Sequence, residues 1–67
     1  MQIEIKDEYI TLGQLLKTCD FVSTGGEAKI FLQEETVLVN GEKENRRGRK
    51  LRSGDVIEIQ SQIIGIE

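Results

Sequence analysis

Marked as hydrophobic or polar, the chain changes period twice. Gln2 to Ile5 (QIEI) alternates with period two, as a half-buried strand does, and Tyr9-Ile10, after Lys6-Asp7-Glu8, is placed to continue or pair with that strand. From Leu12 the spacing turns helical. Leu12, Leu15, Leu16 and Cys19 fall at i, i+3, i+4 and i+7, behind a capping box made by Thr11 and Gln14, with Gly13, Gln14, Lys17 and Thr18 left to the outer face. Asp20-Phe21-Val22-Ser23 interrupts the pattern, and Thr24 with Glu27 forms a second capping box. The segment Glu27 to Glu34 then carries Ala28, Phe31 and Leu32 on one helical face. Two short helices with a tight, glycine-containing connection predict a helix-turn-helix-like unit.

Past Glu35 the period returns to two. Val37-Leu38-Val39 runs into Asn40-Gly41, a pair suited to the positive φ that both central residues of a type I′ hairpin turn require, and Glu42-Lys43-Glu44 is the expected return strand. A basic loop follows, then Lys50-Leu51, a turn at Ser53-Gly54-Asp55 and a strand from Val56 to Gln60. Ile63 to Ile66 is a candidate last strand beside the N-terminal one. The predicted fold class is α+β: the two-helix unit packed on a small antiparallel sheet of four to five short strands, in a single domain spanning residues 1–67.

Composition narrows what such a domain can do. At 67 residues the core must be small, and 37% hydrophobic with 31% charged residues suits a folded chain better than a disordered one. With one cysteine and no histidine, neither a disulfide framework nor a metal or haem site of familiar spacing can be built, and a reducing cytoplasm is the expected compartment. No apolar run has the length of a membrane span, and the N-terminus lacks the pattern of a secretion signal. Catalysis is not expected: histidine is absent, the carboxylates read as solvated surface positions, and Cys19 lies on the apolar stripe as a small buried hydrophobe. The expectation is a monomer with no cofactor and no small-molecule substrate.

Charge is where the chain becomes specific. The formal net charge is −3, yet six of the nine basic residues, every arginine among them, lie between Lys43 and Arg52, flanked by acidic stretches. Arginine is preferred over lysine there, and its planar guanidinium suits bidentate phosphate recognition. Gly48 within, and Gly41 and Gly54 at the edges, would let backbone approach a ligand. Ser23-Thr24-Gly25-Gly26 is compatible with a phosphate cradle at a helix start, though a cap and a tight turn explain the same residues. No aromatic residue occurs from Glu34 to Glu67, so no stacking platform is expected on the basic face. Structured RNA, read by shape and backbone, is the expected target in preference to an unpaired strand. Glu4, Asp7 and Glu8 are expected on the opposite side, where they would repel phosphate and orient the domain.

The succession LGQLLK, STGGEAKIFL, VLVNGE, a basic loop and LRSGDVIEI resembles the S4-type RNA-binding domain, with a core over residues 9–60. The tail NRRGRKL after VNGE is similar to the small stand-alone bacterial members called YaaA-like. The resemblance implies binding of ribosomal or transfer RNA, in association with the ribosome, through the two-helix unit and the adjoining hairpin. It places Thr24 before the second helix, Lys29 after Ala28 as a basic contact, and Asn40-Gly41 at the turn. Many relatives have an arginine-leucine-aspartate run where Thr11-Leu12-Gly13 stands, and arginine where Gly25 stands. Two phosphate contacts are therefore missing, and Arg46, Arg47, Arg49 and Lys50 are expected to compensate. The full set of expected RNA-binding residues is Thr24, Gly25, Gly26, Lys29, Asn40, Arg46, Arg47, Arg49, Lys50 and Arg52.

Two alternatives stay open on sequence. MQIEI with VNGE and LRSGDVIEI is also similar to β-grasp sulphur carriers, but these end in Gly-Gly, whereas this chain ends Ile64-Gly65-Ile66-Glu67. That fold would also place one helix, not two, between residues 11 and 35. The other alternative is a protein–protein adaptor whose basic loop docks on an acidic partner.

Overall fold

Residues 12–34 hold two helices, and every other element is a short strand, in a computed structural model that describes residues 1–67. The strands are β1 (Gln2–Ile3), β2 (Ile10–Thr11), β3 (Val37–Val39), β4 (Glu42–Lys43), β5 (Lys50–Leu51), β6 (Val56–Ile59) and β7 (Gln62–Ile66). The helices are α1 (Leu12–Thr18) and α2 (Gly25–Glu34). Both helix starts follow from capping chemistry. Thr11 accepts from the Gln14 N–H while the Gln14 side chain accepts from the Thr11 N–H, so the first box is complete. The second is displaced: Thr24 accepts from the Glu27 N–H, but the Glu27 carboxylate reaches past Thr24 to the Ser23 N–H.

The sheet is more elaborate than the predicted antiparallel one. Five strands lie in the order β1-β7-β6-β3-β4, with β1 parallel to β7 and the other pairs antiparallel. The placement of residues 63–66 beside the N-terminal strand is observed. Tyr9-Ile10 does not extend or pair with the first strand: β2 joins β5 in a separate two-stranded ribbon, Ile10 opposite Leu51 and Thr11 opposite Lys50. This pairing accompanies the complete burial of Leu51 in the core. Asn40 and Gly41 have φ of 51° and 84°, as the hairpin turn demands, and Gln60-Ser61 makes a second turn with positive φ (49° and 67°) that no glycine announces.

One face of the sheet carries the core. Val37, Val39, Ile57, Ile59, Ile64 and Ile66 alternate inward against Leu12, Leu15 and Leu16 of α1 and Ala28 and Leu32 of α2. Each fully buried aliphatic side chain contributes about 1.5–3 kcal/mol by leaving water, a large fraction of the stability of a domain this small. Two helices separate the fold from the β-grasp alternative, which requires one. No helix is long and apolar enough to cross a membrane.

Candidate nucleic-acid interface

The basic loop is built around a buried carboxylate. Glu44 leaves β4 with its N–H donating to the Val37 carbonyl and its side chain turned inward, only 7% exposed. Its Oε2 accepts from the N–H groups of Asn45 and Arg46 and from Arg46 Nε, at 3.0–3.1 Å. Its Oε1 accepts from Arg46 Nη2 at 3.1 Å and Arg49 Nη1 at 2.9 Å. The hydrogen bonds from the Arg46 side chain are the main cause that holds the Glu44 carboxyl down at about 2, against a smaller opposing effect of burial, and Arg49 adds to the lowering. The expectation that all carboxylates are solvated fails at this residue. Both carboxylate oxygens are satisfied by donors within six residues of chain, and the triad carries one net positive charge.

Backbone then fixes the loop to α1, and one side chain fixes it to α2. The first N–H groups of α1 have no partners within the helix, and the loop supplies them: Leu12 donates to the Arg49 carbonyl and Gly13 to the Arg47 carbonyl, both at 2.8 Å. Gly13 permits the approach, since a Cβ there would stand 3.3 Å from the Arg47 oxygen. On the other side Arg47 Nη1 donates to the Gly25 carbonyl at 2.8 Å, in the first turn of α2. The Gly25 and Gly26 N–H groups precede the first intrahelical bond, which runs from Ala28 N–H to the Thr24 carbonyl, so they have no helical partner. Lys29 is exposed four residues after Gly25, on the same helical face.

The other half of the basic segment lies on the β2–β5 ribbon. Lys50 Nζ sits 5.0 Å and Arg52 Cζ 5.6 Å from the centre of the Tyr9 ring, both within cation–π range. An aromatic group is thus present among the cations, contrary to the reading of residues 34–67 alone. Glu4 and Asp7 are not across the molecule from it: both line the same cleft as Tyr9.

The ten expected residues therefore divide. Thr24, Gly25, Gly26, Lys29 and Arg47 meet at the start of α2; Lys50 and Arg52 meet on Tyr9; Arg46 and Arg49 are held by Glu44. Asn40 is committed elsewhere, donating to Asp55 Oδ1 at 3.0 Å and accepting from the Val56 N–H at 2.9 Å, and so joins two turns. Asp55 also accepts from the Arg52 N–H, the largest of the effects that lower its pKa, with the Asn40 bond next. Sequence reasoning missed Glu44, Tyr9 and Gly13 as parts of this surface. Only the pairing of Ile10 with Leu51 reveals Tyr9, and nothing local distinguishes Glu44 from its acidic neighbours.

A loop stitched to the N-termini of two helices, with arginine at the second, sets the chain among small α+β modules that present cations from a helix pair and a hairpin. A sequence model of the S4 domain matches residues 3–67, and the chain belongs to this family of RNA-binding domains. The chain is also similar to the probable ribosome maturation protein RlbA of Bacillus subtilis (strain 168), 60% identical over 58 residues that cover 87% of this chain and 82% of that protein.

Proposed function

We propose that the chain binds structured ribosomal RNA without catalysing a reaction, and acts on the ribosome in the cytoplasm during its maturation. The observation that carries this reading is the seating of Arg47 on Gly25. The guanidinium lies 3.6 Å from where a Cβ of residue 25 would be, so the loop supplies the charge that an arginine at position 25 provides in many similar domains. Arg47, Lys29 and the N–H groups of Gly25 and Gly26 together suit one phosphate at a helix start. Lys50 and Arg52 suit the adjoining backbone, and the similarity to a probable ribosome maturation protein of Bacillus subtilis supports the ribosomal setting.

The charge count makes the test quantitative. With the Glu44 triad worth one charge, and Arg47, Lys29, Lys50 and Arg52 one each, the log–log slope of affinity against salt is expected to be about −4, at roughly 0.7–0.9 per phosphate neutralised. Electrophoretic shift with transcribed ribosomal RNA, at several salt concentrations and with transfer RNA as competitor, measures it. Arg47→Glu and Lys29→Glu each lower affinity by about tenfold and flatten the slope by about one or more. Unchanged affinity and slope in both variants would refute the assignment, and a transfer-RNA preference would redirect it.

A further inference from the structure

Tyr9 has neighbours besides the two cations. Besides meeting Lys50 and Arg52, the ring lines a cleft of about 400 Å³ between residues 3–10 and the outer face of α1. That volume lies within the range of roughly 300–1,000 Å³ seen for small-molecule pockets. Ile5 and Ile10 give the cleft apolar surface, Lys6 and Lys17 give it cations, and Gln14 gives it a side-chain amide. Glu4 and Asp7 line it too and balance those two lysines, so the uncompensated positive charge beside the cleft is that of Lys50 and Arg52 at the ring. An aromatic wall, apolar surface and two cations at the ring match the parts of one nucleotide: a base to stack, a sugar to cover and phosphates to neutralise.

We propose that this cleft receives one unpaired nucleotide of the RNA, its base stacked on Tyr9 and its flanking phosphates met by Lys50 and Arg52. The inference rests on the RNA-binding reading and sharpens it: the domain recognises a helix that carries a bulged or looped-out base, not an uninterrupted duplex. The two cations hold the ring in place before the RNA arrives, so stacking loses little side-chain freedom. This reverses the expectation that the basic face lacks a stacking platform.

The protein carries its own reporter, because Tyr9 is the sole tyrosine. With ring-labelled tyrosine, a ¹H–¹³C spectrum contains this residue alone. The probes are a blunt RNA duplex and the same duplex with one unpaired nucleotide. The ring protons are expected to move upfield with the bulged RNA only, and that RNA to bind about tenfold more tightly. Tyr9→Phe keeps the preference; Tyr9→Leu, which leaves every cation in place, abolishes it while still binding the blunt duplex. Equal binding of both RNAs with an unmoved ring signal overturns the nucleotide site and leaves the RNA-binding reading standing. A preference that survives in Tyr9→Leu overturns it as well. If neither RNA binds, the nucleotide site falls, and the shift with transcribed ribosomal RNA decides the RNA-binding reading separately.

Discussion

Replacing Glu44 by glutamine removes one charge and one acceptor from the root of the loop while keeping the size of the side chain. In the folded protein the Glu44 carboxyl is held at about 2, against an ordinary value of 4.5. Full linkage across that interval would be worth about 3 kcal/mol. The Arg46 side chain is 71% exposed and that of Arg49 34%, so water screens the pair and the expected contribution is about 1–2 kcal/mol. Because the folded value lies below the unfolded one, this stability is fully present above pH 4.5 and is lost as pH falls from there through about 2. Glu44→Gln should therefore lower Tm at pH 7 by roughly 5–15 °C, given about 4–8 °C per kcal/mol for a domain of this size. Thermal unfolding of both proteins, followed by far-UV circular dichroism from pH 7 to pH 2, checks it. The gap between them should narrow steadily below pH 4.5 as Glu44 takes up its proton, while the lowered Asp55 carboxyl is common to both proteins and cancels. A gap that is absent at pH 7, or constant down to pH 2, would show that Glu44 does not organise the loop.

Gly13→Val places side-chain atoms against the Arg47 carbonyl, 3.3 Å from the new Cβ, and should cost about 1–3 kcal/mol in urea unfolding while weakening RNA binding through the displaced Arg47. Asn40→Ala loses two side-chain hydrogen bonds and puts a Cβ-bearing residue of no polar function at φ 51°, for a loss of about 2–3 kcal/mol. Asn40→Gly tolerates that φ and should lose only about 1–2 kcal/mol. Equal losses in the two variants would mean that the hydrogen bonds, not the backbone, carry the whole effect.

The sequence makes the local parts of this molecule legible and its long-range parts opaque. Thr11 with Gln14, the leucine spacing of α1 and the Asn40-Gly41 turn are each decided by residues a few positions apart, and all appear as read. The two-stranded ribbon is not local: Ile10 and Leu51 pair across forty residues and both pack into the core, and nothing near Tyr9 records that its neighbours will be Lys50 and Arg52. The same holds for the cradle at α2. The cluster of arginines is plain in the sequence, but its division among Glu44, Gly25 and Tyr9 depends on which backbone groups lack partners, and these are set by where helices start. Gln60-Ser61 shows the converse limit, a turn with two positive φ values made by residues of weak turn preference because β6 and β7 on either side leave it no other course.

A carboxylate at the base of an arginine-rich loop lowers the charge available to RNA, so its presence argues that geometry is the scarcer resource. Four arginines within seven residues repel one another, and left alone they would splay a loop whose carbonyls must meet the α1 N–H groups. Glu44 gathers Arg46 and Arg49, which leaves the Arg47 and Arg49 carbonyls in place to cap α1 and aims the Arg47 side chain at Gly25. Charge alone would make Glu44→Gln a better RNA binder, with a steeper salt slope by about one. Geometry predicts that the gain is indiscriminate: at equal salt the variant should bind blunt duplex and structured ribosomal RNA with more nearly equal affinity than the parent does. Competition between the two RNAs decides the matter. If the variant keeps the parent's discrimination and slope, the triad is an incidental ion pair and selectivity resides in the α2 face and the Tyr9 cleft alone.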